Sequence, residues 1–226
     1  MKRSEINSYL RGAVAFFESN KFYLPPFAFW DVQKWSALGP EEDYMRSRGL
    51  GWDVTDFGSH QFPACGLLLF TLRNGLVGDP YKTFAEKIMM VRPNQRTPFH
   101  FHIKKTEDII NRGGGNLVVE LYHSDQSGQF TDTDVRVRCD ALERTVAAGG
   151  GVTLEPGESI TLPPNLYHSF YAAGGNVLAG EVSSVNDDTN DNRFYEALPR
   201  FSRIDEDERA LYPLCSDSRE ANEGMN

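Results

Sequence analysis

Two histidines stand one residue apart, at His100 and His102, in a chain that holds only five. Glu107 follows beyond a short Lys104-Lys105-Thr106 stretch. In an extended strand successive side chains point to opposite faces, so the two imidazoles project from one side and Phe99, Phe101 and Ile103 from the other. A returning strand can bring the Glu107 carboxylate beside them. Two neutral imidazoles and a carboxylate form a mixed nitrogen and oxygen site that suits a divalent ion such as Mn, Fe, Co, Ni or Zn and leaves positions open for a ligand. A fourth donor is available in EPGESITLPPNLYHSF, where a turn on Pro163, Pro164 and Asn165 would direct His168 back toward the interior. His60 and His123 stand alone and read as surface or hydrogen-bonded residues.

The elements that must position these groups are strands. From about Gly58 onward, short runs rich in β-branched and aromatic residues alternate with Gly, Pro, Asn and Asp. The expected strands cover 66–74, 83–92, 99–103, 108–111, 116–123, 135–139, 145–148, 151–154, 159–162, 168–173 and 177–184. Such a succession predicts an antiparallel sandwich or small barrel, a mainly β fold. Ahead of it, Ser4 followed by Ile6, Tyr9, Leu10, Val14 and Phe17 predicts an amphipathic helix over about 4–20. The division expected is an N-terminal helical and loop extension over 1–57, a β-barrel over 58–204 and an acidic C-terminal tail over 205–226.

Composition narrows the function. Twenty-three basic residues against 32 acidic give a formal net charge of -9, and no basic run is present to neutralise phosphates, so nucleic acid is not an expected partner. Apolar runs such as Cys65 to Phe70 are too short to span a bilayer, so no membrane association is expected. Arg11 interrupts the N-terminal apolar run, which does not read as a signal sequence. Cys65, Cys139 and Cys215 are odd in number and widely spaced, which argues against a disulfide framework. A cytoplasmic protein is expected.

The spacing of the chemical residues resembles the cupin superfamily. Its first motif, G-x5-H-x-H-x3,4-E-x6-G, is matched by His100, His102, Glu107 and Gly114, with Asn94 in place of the leading glycine. The second, G-x5-P-x-G-x2-H-x3-N, is matched by Gly157, Pro163 and His168, with Asn165 in place of the inner glycine and Ala172 in place of the last asparagine. The wider text, MKRSEIN, FAEKIMMV, PFHFH, EDIINRGGGNLVVELY and GEVSSVNDDTNDNRF, is similar to the longer D-lyxose isomerases of that superfamily, from the N-terminus to about Phe201. That resemblance implies a cupin β-barrel (a double-stranded β-helix, jelly-roll-like) with an N-terminal helical extension, Mn2+ held by His100, His102, Glu107 and His168, and a monosaccharide substrate. The reaction implied interconverts D-lyxose with D-xylulose, and D-mannose with D-fructose.

Aldose–ketose isomerisation moves a proton between C1 and C2 and another between two oxygens, so a base, an acid and an electrophile are needed. Candidate proton carriers are Glu86, Lys87, Glu107, Glu120, Glu181 and Asp191. Lys87 and Glu181 are the leading catalytic candidates, although strand parity alone does not separate Lys87 from Glu86. Lys87, Glu120, Asp191 and Arg193 are expected to contact substrate, the last two from a polar loop over 184–194. The loop carries only Arg193 as a base, which favours a neutral sugar over a phosphosugar. Rival readings keep the same ligands: an Fe(II) dioxygenase of the cupin type, or a sugar-binding cupin without catalysis. The apolar face of Phe99, Phe101 and Ile103 needs a cover, from the N-terminal segment or another subunit, and a homodimer is expected.

Overall fold

The computed structural model describes residues 1–217. Helix α1 runs Arg3–Ser19 and buries Ile6, Leu10, Ala13 and Phe17 at helical spacing. Its start differs from expectation. Ser4 lies inside the helix, and its N–H and hydroxyl donate to the carboxylate of Asp207 at 2.9 and 2.8 Å, so a residue from the far end of the chain caps the first turn. Two short helices follow, α2 (Val32–Ser36) and α3 (Pro40–Ser47). Trp35, Met45 and Leu50 form a small core of their own there.

Eleven strands follow among the described residues: β1 (Gly51–Thr55), β2 (Leu67–Asn74), β3 (Phe84–Val91), β4 (His100–His102), β5 (Glu107–His123), β6 (Val135–Cys139), β7 (Leu142–Val146), β8 (Gly151–Leu154), β9 (Ser159–Leu162), β10 (Leu166–Ser184) and β11 (Asn192–Phe194). All strand pairings are antiparallel, in the order β1-β2-β3-β10-β5-β9-β6-β7, with β4 on β10, β11 on β4 and β8 on β5. The mainly β architecture with an N-terminal helix is the one expected. Two features were not: β1 lies within the stretch read as extension, and β11 within the stretch read as loop.

Strands β5 and β10 are long because each bridges two expected strands. They pair along most of their length, with register breaks between Ala173 and Val177 and between Leu178 and Ala179, and Gly113, Gly114 and Gly175 take positive φ at this bend. A Cβ on Gly114 would lie 2.1 Å from the Asn176 carbonyl oxygen, so only glycine allows the strands to meet at this bend.

Alternation along β2, β3 and β10 builds two cores. Leu69, Met89, Val91, Val177 and Ala179 point into the barrel with Ile109, Leu117 and Leu121. Leu68, Phe70, Ile88, Met90 and Leu178 point the other way, against Ile6, Leu10 and Phe17 of α1. Both faces are covered, which explains near-continuous apolar runs where a half-exposed strand would alternate. The parity also fixes the chemistry: Lys87 shares the face of Met89, and Glu181 that of Ala179, so both enter the barrel. Glu86 points out and pairs with Arg73.

Phe99 and Phe101 pack on aromatic side chains of the same chain. Phe99 packs on Tyr122 and Phe130 at 5.4 and 5.3 Å, Phe101 on Tyr167 at 4.7 Å, and Phe130 stacks on Tyr195 at 3.7 Å. These rings cover part of that face, while Phe101 and Ile103 also line an open hollow beside Tyr167 and Tyr195. Of the tail, 205–217 lies along α1, and the remainder of 205–226 lies outside the described residues. Among the described residues no helix is long and apolar enough to cross a membrane.

Candidate metal centre

Strand β4 pairs with β10 so that His100 stands opposite His168. One nitrogen from each of His100, His102 and His168 lies within 4.8 Å of the other two. Glu107 opens β5, and its Oε1 is 3.1 Å from His168 Nε2 while its Oε2 is 3.5 Å from His102 Nε2. The four residues named from the spacing are therefore gathered at one point, from two hairpins.

The donor atoms are oriented for a cation. His100 Nδ1 is 2.8 Å from the Pro98 carbonyl and His168 Nδ1 is 3.0 Å from the Leu166 carbonyl. A carbonyl only accepts, so both Nδ1 atoms carry the proton and both Nε2 atoms present a lone pair. His168 Nε2 is buried without a hydrogen-bond partner, although a carboxylate oxygen faces it. Two acceptors held face to face in a buried site are what a cation between them would relieve. Burial and the neighbouring His168 and His102 hold His100 well below the usual imidazole range. Burial and the Lys105 ammonium lower His102. Both are neutral at pH 7, the form that binds a metal.

Behind the histidines lies a chain of alternating charges. Lys105 Nζ is 2.6 Å from Glu107 Oε2 and 2.8 Å from Glu181 Oε1. Lys87 Nζ donates to Glu181 Oε1 at 3.0 Å, to Oε2 at 3.3 Å and to Asn186 Oδ1 at 2.7 Å. Burial alone would raise the carboxyls of Glu107 and Glu181, but Lys105 outweighs it in both, with His102 helping at Glu107 and Lys87 at Glu181, and both stay below the usual carboxylate range. Lys105 is pushed up, because the two carboxylates overcome its desolvation. It stays an ammonium that donates hydrogen bonds. Nothing in the local text marked Lys105. It sits in the turn expected to be a plain connector, and its burial depends on the distant Asp191.

The cavity against this cluster is narrow, about 40 Å³, and is lined by Lys87, His100, His102, Lys105, Glu107 and Glu181 together with Asp188, Asn192, Phe194 and Arg200. Three residues expected to contact substrate lie elsewhere. Glu120 occupies the outward parity of β5 and forms a bidentate pair with Arg96. Arg193 is on the outer side of β11, exposed beside Phe101 and Tyr195, because Asn192 and Phe194 take the inward positions. Asp191 is buried, but its carboxylate accepts the backbone N–H of Lys104 at 2.7 Å and of Lys105 at 3.0 Å, so it holds the turn.

Comparisons with known proteins bear on the lineage and the fold. A family model described as D-lyxose isomerase matches residues 1–218. The chain is 52% identical over 225 residues to D-lyxose/D-mannose isomerase of Escherichia coli O157:H7, covering 97% of this chain and 99% of that protein. It is 50% identical over 221 residues to the protein of the same description from Serratia proteamaculans, covering 95% and 96%. Among solved structures, a mutant L-ribose isomerase of Acinetobacter sp. DL28 in complex with L-ribose superposes with a TM-score of 0.62 at 16% identity, over 91% of this chain and 98% of that one. The L-ribose isomerase of Cellulomonas parahominis with L-ribose gives 0.59 at 17% identity, over the same shares. At that identity the structural likeness speaks for the fold, and the sequence relatives speak for the lineage: the chain belongs to the D-lyxose isomerase family and is a sugar isomerase.

Proposed function

We propose that this protein interconverts D-lyxose with D-xylulose, and D-mannose with D-fructose, with Mn2+ bound by His100, His102, His168 and Glu107. The observation that carries the reading is the placement of a buried carboxylate and two buried ammonium groups in the same cavity as the histidine cluster. Proton transfer needs the former pair of functions, and a redox cupin does not. When bound, the divalent ion supplies Lewis-acid polarisation of the carbonyl that is interconverted, with no change of oxidation state.

The chain's own residues do the rest. Glu181 Oε1 is engaged by both lysines at 3.0 and 2.8 Å, whereas Oε2 has only the longer 3.3 Å contact, so Oε2 is the freer oxygen to take a proton from C2 and return it to C1. Lys105 and Lys87 hold its carboxyl below the usual range, so it is ionised before substrate binds. Lys87 and Lys105 hold that carboxylate in place and can donate from Nζ to a sugar oxygen. Phe57, Phe170 and Phe194 line the cavity beside these groups and restrict water.

The dioxygenase and non-catalytic readings predict different behaviour. The protein loaded with manganese and supplied with D-lyxose under nitrogen should produce D-xylulose at an undiminished rate. Oxygen uptake without ketose would favour the dioxygenase, and tight sugar binding without product would favour the non-catalytic sugar-binding cupin. We further propose a cytoplasmic homodimer. Three free cysteines suit a reducing compartment. Exposed Phe84 and Val182 on the paired strands β3 and β10, with Val77 and Tyr81 in the loop before β3, suit a covered surface. A monomeric mass by light scattering at micromolar concentration would remove the dimer.

A further inference from the structure

The metal donors and the lysine–glutamate chain account for only part of the cavity's polar lining. Arg200, in the segment after β11, lines it too. Its Nη2 donates to Asp53 Oδ2 at 2.6 Å and to Asp188 Oδ2 at 3.2 Å, and its carbonyl accepts the Thr55 hydroxyl at 2.9 Å. The guanidinium is fixed, yet its Nη1 is buried with no hydrogen-bond partner among the described residues. Asn192 lines the same cavity, and its Oδ1 is also buried without a partner. Two residues that line one narrow cavity thus each carry a buried polar atom, a donor on Arg200 and an acceptor on Asn192, with a desolvation cost that nothing among the described residues offsets.

A sugar hydroxyl has one O–H to give and lone pairs to receive, so it satisfies one donor and one acceptor together. A phosphate would not fit as well, because the Arg200 charge is already balanced by Asp53 and Asp188. The C1 and C2 oxygens belong at the histidine cluster, which leaves the hydroxyls further along the sugar for the remaining wall. We propose that Arg200 and Asn192 form a clamp that reads one hydroxyl of the substrate beyond the C1–C2 pair and thereby sets which neutral sugars are turned over. This inference rests on the isomerase reading above.

The test compares D-lyxose with its 3-, 4- and 5-deoxy forms on the wild-type holoenzyme, Arg200→Lys and Asn192→Ala. Lysine keeps the charge facing Asp53 and Asp188, and thermal unfolding reports whether each variant is folded. For the wild type, kcat/KM should fall about 10- to 100-fold for one deoxy sugar, the usual weight of a hydrogen bond to a charged donor. Each variant should lose a similar factor on D-lyxose and almost nothing more on that deoxy sugar. Variant losses equal across D-lyxose and all three deoxy sugars overturn the clamp. Failure of the isomerase reading looks different, since the wild type would then convert no aldose. In that event, calorimetric titration with D-arabinitol, an unreactive polyol, still decides: binding weaker by 10-fold or more in both variants supports the clamp, and equal binding refutes it.

Discussion

At His168 the Nδ1 lies 3.0 Å from the Leu166 carbonyl, and the Nε2 faces Glu107 Oε1 at 3.1 Å, the placement on which the proposed metal role rests. His168→Ala or His102→Ala should strip bound manganese and lower turnover at least about 1000-fold, the metal read by elemental analysis and the rate by ketose formation. Manganese-dependent turnover retained in both variants would exclude them as essential ligands. Lys87→Met separates metal from proton chemistry, because Lys87 touches Glu181 and Asn186 but not Glu107. It should keep its metal and lose turnover about 100-fold; full activity would remove Lys87 from the mechanism. The pH dependence follows from the depressed carboxyls of Glu107 and Glu181. A carboxyl whose folded pKa lies below its unfolded value of about 4 contributes stability that is complete above that value and is lost as pH falls through the folded one. The metal-free protein should therefore begin to lose Tm below about pH 6.5, where the unfolded imidazoles of His100 and His102 take protons that the buried ones refuse, and lose more below about pH 4 as the carboxyls protonate; Lys105→Met should flatten the lower part of that fall.

At the scale of elements, the turn between β4 and β5 is the piece that makes a site out of two strands. Asp191 holds it through the backbone N–H groups of Lys104 and Lys105, and so sets where the Lys105 ammonium can stand. Asp191→Ala should lower kcat about 10-fold or more with metal content unchanged, and should cost about 1–3 kcal/mol, chiefly for the buried Lys105 N–H it leaves unpaired. An unaltered kcat would show that the turn holds itself. This dependence explains what could and could not be read from the chain. The gathering of His100, His102 and Glu107 was legible because they lie close in sequence and obey strand parity, that of His168 because a turn on Pro163 to Asn165 precedes it, and β6, β8 and β9 because alternation and flanking turns bound them sharply. Lys105 and Arg200 were not legible, since their burial is conferred by Asp191, Asp53 and Asp188 across the fold. Glu120 and Arg193 failed on parity, which polarity and proximity to a motif do not reveal. The two glycines missing from the motifs have a local explanation: Asn94 and Asn165 sit at φ of 60° and 63°, a left-handed conformation that asparagine tolerates better than other side chains.

Over the whole molecule, the N-terminal helix, the sheet and the segment 205–217 are bound into one unit by Arg3. Its side chain is 2% exposed and donates to Glu206 Oε1 at 2.6 Å and to Asp217 Oδ1 at 2.8 Å. Asp217 Oδ2 in turn accepts the N–H of Leu214 at 2.8 Å, and Leu214 bridges to Trp52 of β1, next to Asp53, which grips Arg200. A continuous set of contacts therefore runs from the first turn of α1 to the cavity wall. Arg3→Ala leaves Asp217, itself 4% exposed, as a buried charge without its partner. Breaking such a pair typically costs about 3–5 kcal/mol, which for a chain of this size lowers Tm by about 6–20 °C. The segment 205–217 should then become the first site of limited proteolysis, while turnover measured well below the new Tm stays close to that of the wild type, because no group that faces the substrate has been changed. A variant with unchanged Tm and unchanged protease resistance would show that apolar packing of Leu214 on Trp52 is sufficient to hold the segment without the ion pair.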